Sequence, residues 1–89
     1  MFFTIGLSQI YPNPFNPSTV ISYQLPVSSN VTLTIYDLLG REVTTLVDEY
    51  RPAGSYEVEF SAKGLSSGVY LYKLTAGEFS QIRKMLLLK

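Results

Sequence analysis

From Thr19 onward, apolar and polar side chains alternate with a period of two. Ile21, Tyr23 and Leu25 are separated by Ser22 and Gln24, and Val31, Leu33 and Ile35 by Thr32 and Thr34. This is the pattern of strands with one face in a core and the other in water. Tyr56, Val58 and Phe60 stand opposite Ser55, Glu57 and Glu59, and Tyr70, Tyr72 and Leu74 stand opposite Leu71 and Lys73, which predicts two more strands. A weaker strand is predicted over Glu42 to Val47, and the pattern admits a short one near Leu7 to Ile10. The last strand, Gln81 to Leu88, loses its alternation in Met85-Leu86-Leu87-Leu88. That run is either buried on both faces or docked against something else.

Turn signals separate these segments: Pro26 to Asn30, Leu39-Gly40, Pro52-Ala53-Gly54, Ser66-Ser67-Gly68 and Ala76-Gly77. Asp37-Leu38-Leu39-Gly40 reads as a tight hairpin connection, with the Asp37 carboxylate bonding back to nearby amides and Gly40 supplying a positive φ. Pro12, Pro14 and Pro17 hold Tyr11, Asn13 and Asn16 away from the α region and remove three donors, so this stretch is extended and lies across one end of the fold. No segment has helical periodicity with caps. Short, regularly spaced strands predict an all-β protein, a seven-stranded antiparallel sandwich of immunoglobulin-like type.

At 89 residues the chain is a single domain with little area left for a deep active site. The formal charge is zero and the seven basic residues are scattered, so no basic stripe exists to neutralise phosphates and nucleic acid is not an expected partner. Without His or Cys, the usual general base near neutral pH, the commonest metal ligand and the thiol nucleophile are all missing. Met1 to Ile10 is apolar but has no positive n-region and is much shorter than the roughly 20 residues of a spanning helix. Residues 1–10 are read as a leader or the remnant of a linker, and residues 11–89 as the domain.

The remaining candidate chemistry is outweighed by structural readings. Glu57 and Glu59 share one strand face roughly 6.5 to 7 Å apart, a spacing that suits a hard cation or acid/base work, but they are placed as a solvated outer face should be. Asp48-Glu49, read as a turn before Arg51-Pro52, is too sparse for a calcium loop. Ser66 and Ser67 have no His or Cys to activate them, and Lys63 or Lys73 as a partner has no support beyond proximity. Tyr23, Tyr56, Phe60, Tyr70 and Tyr72 fall where a small sandwich needs bulky core, leaving Tyr36 and Tyr50 as candidates for a sugar-stacking surface. Asn30-Val31-Thr32 matches the short N-glycosylation pattern and carries no functional weight. No catalytic residue, metal site or cofactor is expected.

The terminal strand leaves more to explain. An edge strand with four consecutive apolar residues invites pairing with other chains. Arg83, Lys84 and Lys89 flank the run and read equally as gatekeepers or as the border of an edge kept open for strand addition by a receptor.

Four blocks carry a family resemblance in order along the chain. They are Tyr11-Pro12-Asn13-Pro14-Phe15-Asn16-Pro17-Ser18-Thr19, Asp37-Leu38-Leu39-Gly40-Arg41-Glu42, Gly68-Val69-Tyr70 and Lys84-Met85-Leu86-Leu87-Leu88-Lys89. Together they resemble the C-terminal sorting domain (type A) of type IX secretion cargo. The same blocks are similar to the immunoglobulin-like domain of flagellar hook-capping proteins. The first resemblance implies a non-catalytic sorting signal that follows an N-terminal cargo domain, passes through the periplasm and ends at the cell surface or outside the cell. Its implied partners are the outer-membrane secretion translocon and a sortase-like peptidase. It assigns partner recognition to Lys84, Met85, Leu86, Leu87, Leu88 and Lys89, and makes Tyr11, Pro12, Asn13, Pro14, Gly40, Gly68 and Tyr70 family-motif positions. The second implies a purely structural assembly module, and exposed tyrosines leave a carbohydrate-binding accessory domain as a third reading.

Overall fold

Alternating side chains become strands because each then buries one face and satisfies its backbone through neighbours. The computed structural model describes residues 6–7 and 17–88. Its strands are β1 (Gly6–Leu7), β2 (Ser18–Leu25), β3 (Ser29–Asp37), β4 (Glu42–Arg51), β5 (Gly54–Ser61), β6 (Gly68–Ala76) and β7 (Phe79–Leu87). The described residues contain no helix. Seven full strands were expected; among the described residues six have eight to ten residues, and β1 is seen as the pairing of Gly6 with Gln24 and Leu7 with Tyr23.

All pairings are antiparallel. One sheet has the order β1-β2-β5 and the other β4-β3-β6-β7. The core-facing residues of both sheets form one cluster that includes Leu7, Ile21, Tyr23, Leu33, Ile35, Phe60, Tyr72, Leu74, Met85 and Leu87. Leu7 belongs to this core although residues 1–10 read as leader or linker. β4 is longer than its sequence pattern, so Asp48 and Glu49 are strand residues and not a turn. Two register irregularities in the β3–β4 ladder, between Leu33 and Thr34 and between Ile35 and Tyr36, account for its weak alternation.

Two arginines tie the sheets along their open sides. On one side, Gln81 and Arg83 of β7 reach Leu7 of β1: the Leu7 N–H donates to Gln81 Oε1 at 3.2 Å, and Arg83 Nε donates to the Leu7 carbonyl. These two side chains satisfy the Leu7 N–H and carbonyl beside its ladder pairing with Tyr23. On the other, the Arg51 guanidinium of β4 lies 5.1 Å from the ring centroid of Tyr56 on β5, which stacks on Tyr23 at 5.2 Å. The Tyr56 hydroxyl donates to the Pro52 carbonyl at 2.5 Å. Burial pushes the Tyr23 phenol above its usual 10.0, against the pull of the Arg51 charge.

The loop from β5 to β6 is held by hydrogen bonds within itself, to Pro17 and to Tyr70. Ala62 N–H donates to the Pro17 carbonyl at 2.8 Å and Leu65 N–H to the Ala62 carbonyl at 2.9 Å. The Tyr70 hydroxyl donates to the Ser66 carbonyl at 2.6 Å, fastening the loop onto β6. Tyr70→Phe removes that bond and leaves the ring in place. It is expected to cost about 1 kcal/mol in urea unfolding, with an unchanged dependence on denaturant.

Candidate functional site

β7 is an outer strand, with β6 on one side and no ladder on the other among the described residues. Its apolar end keeps the period of two that the sequence obscures. Met85 and Leu87 are 1% and 0% exposed in the core, whereas Leu86 is half-buried and Leu88 is 48% exposed on the other face. The Met85–Leu88 run is thus a core pair and an outward pair in alternation. Ile82 and Lys84 continue the outward row, and Val69, Lys84, Met85 and Leu86 line a shallow depression of about 160 Å³.

The Gly-x-Tyr block lies directly across from this end. Gly68 partners Leu87 and Tyr70 partners Met85, while Asp37 of β3 partners Tyr70 from the other side. Gly68 has φ +150, a backbone state unfavourable to other residues, at the point where the loop enters β6. Gly40 sits in the turn beyond Asp37 with φ +82. Pro17 reaches the same end, because Ser18 pairs with Ser61 at the start of the loop leading to Gly68. Three of the sequence blocks and the described end of the fourth, from Pro17, therefore converge on one end of the fold. Tyr11, Pro12, Asn13 and Pro14 lie outside the described residues, as does Lys89.

The β3–β4 turn forms as its sequence predicts. Asp37 Oδ1 accepts from the Leu39 and Arg41 amides at 2.9 and 3.0 Å, and Oδ2 pairs with Arg41 Nε at 2.8 Å. These contacts, the Arg41 amide first among them, hold the Asp37 carboxyl below its ordinary 3.8.

No catalytic grouping assembles from the other candidates. Glu57 and Glu59 are exposed on β5, alternating with half-buried Tyr56 and Val58. Among the described residues, no three His, Cys, Asp or Glu side chains come together as a metal site. Glu49 pairs with Arg51 at 2.7 Å, and Asp48 is exposed. Ser66 and Ser67 are exposed in the loop before Gly68. Tyr23, Phe60, Tyr70 and Tyr72 are core residues, Tyr36 is half-buried and Tyr50 is 63% exposed. Arg83, read from the sequence only as a flanking charge, and Gln81, which sequence reading did not single out, hold β7 to Leu7 of β1. Their signal was present, since the period of two places both on the face of Met85 and Leu87.

A family model described as a secretion system C-terminal sorting domain matches residues 9–88. No curated protein and no solved structure matches the chain.

Two measurements separate the parts of this site. Leu87→Ala is expected to cost about 2–5 kcal/mol of stability, whereas Leu88→Ser stays within about 0.5 kcal/mol of the parent, as measured by chemical unfolding. Because the folded-state pKa of Asp37 is depressed, its contribution is full above the ordinary carboxylate value and is lost as pH falls through the folded value. The stability gap between the parent and Asp37→Asn is therefore constant above about pH 5 and narrows at lower pH.

Proposed function

The chain belongs to the secretion system C-terminal sorting domain family, and from that membership we propose that β7 is the signal by which a cargo is exported across the outer membrane and attached at the cell surface. The family assignment places the domain in type IX secretion as a C-terminal sorting signal. The finer reading is that the outer-membrane translocon docks on Lys84 to Lys89 and that a sortase-like peptidase then removes the domain and joins the cargo to the surface. The cargo precedes the domain, which is proposed to span residues 11–89 with the end of the linker contributing Gly6–Leu7. The two sheets are proposed to form an immunoglobulin-like sandwich, whose role is to hold the signal strand in a fixed shape.

The observation that carries this reading is the division of the Met85–Leu88 run. Met85 and Leu87 hold the strand in the core, while Leu88 is 48% exposed and Leu86 half-buried beside the depression bordered by Val69 and Lys84. An outer strand whose outward positions are apolar is suited to a partner that reads alternate side chains along a sheet edge. Gly68 and Tyr70 act on the signal indirectly, by fixing β6, to which β7 is paired.

The test is a signal-peptide-bearing reporter fused to residues 6–89 in a type IX-competent host. The parent fusion is expected at the cell surface. Leu86→Glu combined with Leu88→Glu is expected to leave a folded, protease-resistant fusion in the periplasm. Surface delivery of that variant would exclude the outward row as the signal. If the parent fusion also stays inside, the domain is a structural module and not a sorting signal.

A further inference from the structure

We infer that the flank between β2 and β7 is a peptide-docking slot. Its occupant here is the chain's own Gly6–Leu7, and the same slot accepts an extended, leucine-bearing segment supplied in trans. The inference rests on burial and hydrogen bonding and is independent of the export role.

Three kinds of contact converge on these two residues. β2 supplies a ladder, with Gly6 paired to Gln24 and Leu7 to Tyr23. β7 supplies two side chains, since Gln81 Oε1 accepts from the Leu7 N–H at 3.2 Å and Arg83 Nε donates to the Leu7 carbonyl. The core supplies an apolar site in which Leu7 is 1% exposed. The first two contacts read main chain, which every residue has, so they give affinity without regard to sequence. The third takes an aliphatic side chain and rejects a charge, which would be buried without a partner. Together they define the ligand as an extended peptide with a leucine-sized apolar residue between its two main-chain anchors.

No tight turn imposes this docking. Residues 8–17 separate Leu7 from the first residue of β2, whereas hairpin registers are fixed by loops of about two to five residues. The slot itself therefore selects the position of β1 on β2. Covalent connection through those residues keeps Gly6–Leu7 at a high effective concentration, so that so short a strand stays docked.

Occupancy also governs part of β7. Over residues 79–84 the strand places no side chain in the core: Phe79, Ser80, Ile82 and Lys84 are exposed, and Gln81 and Arg83 are half-buried with their polar ends on Leu7. The first core residue of β7 is Met85. With the slot empty, Gln81 and Arg83 lose the peptide that they hold, and this half of the strand keeps only its ladder to β6. β1 and the first half of β7 therefore order together, while Met85 and Leu87 keep the second half in place.

Peptide titration of the 89-residue chain, followed by NMR and amide hydrogen exchange, is the test. In a Leu7→Asp chain, whose own segment no longer fits, a peptide of residues 1–10 is expected to shift the Tyr23 and Gln24 resonances and to slow exchange over residues 81–84 at least tenfold at saturation. The same peptide carrying Leu7→Asp is expected to bind at least tenfold more weakly. The parent chain is expected to show neither effect, because its tethered segment already fills the slot. Should the Leu7→Asp chain not fold by itself, the same titration is read as recovery of β-sheet circular dichroism. A second variant leaves β1 intact: Gln81→Leu removes the acceptor of the Leu7 N–H, and that amide is expected to exchange about tenfold faster while those of Leu33 and Tyr72 stay within about twofold. No saturable response of the Leu7→Asp chain, an equal response to both peptides, or a Leu7 amide indifferent to Gln81→Leu would overturn the proposal.

Discussion

Burial of Met85 and Leu87 in the common core is the constraint on which the rest of this fold turns. In a strand, fixing two alternate side chains fixes all of them, and a one-residue slip would exchange the faces. With Met85 and Leu87 inward, Leu86 and Leu88 must point outward and Gln81 and Arg83 must point inward. The last two are polar, and a core-facing polar group needs a partner. They find it in the peptide of Leu7, which is how the edge strand of one sheet comes to hold the first strand of the other. The exposed apolar row and the tie between sheets are therefore two results of one register.

Much of this architecture could be read from the chain. The core-facing residues of β2, β3, β5 and β6 alternate cleanly because each strand has one buried face, and the Asp37 turn announces itself through its carboxylate and glycine. β4 was harder to delimit. Only Val47 is fully buried along it, so the residues from Asp48 to Arg51 show no apolar rhythm although they pair with β3 to the end of the ladder. The Met85–Leu88 run hid its alternation because the outward positions are leucines as well. The period of two sets Gln81 and Arg83 on the face of Met85 and Leu87, but it does not reveal their partner. It is a main-chain group 74 and 76 residues away, and a backbone carbonyl leaves no mark on a sequence. The same holds for the Tyr70 hydroxyl, whose acceptor is the carbonyl of Ser66.

Composition alone was least informative about electrostatics. Equal numbers of acids and bases suggest a featureless surface, but the fold sorts them, because β4 and β5 lie on one flank and β6 and β7 on the other. Sheet edges are usually made unattractive by charge.

The contact between Leu7 and Gln81 and Arg83 joins the two extremities of the described chain. A fold completed by its last strand has high contact order and cannot close during synthesis until that strand is available. A polypeptide cut short before β7 lacks Met85 and Leu87 from the core and leaves β1 without its tie. Damage to β7 is therefore felt at β1, at the opposite extremity of the described fold, so the two strands are gained or lost together.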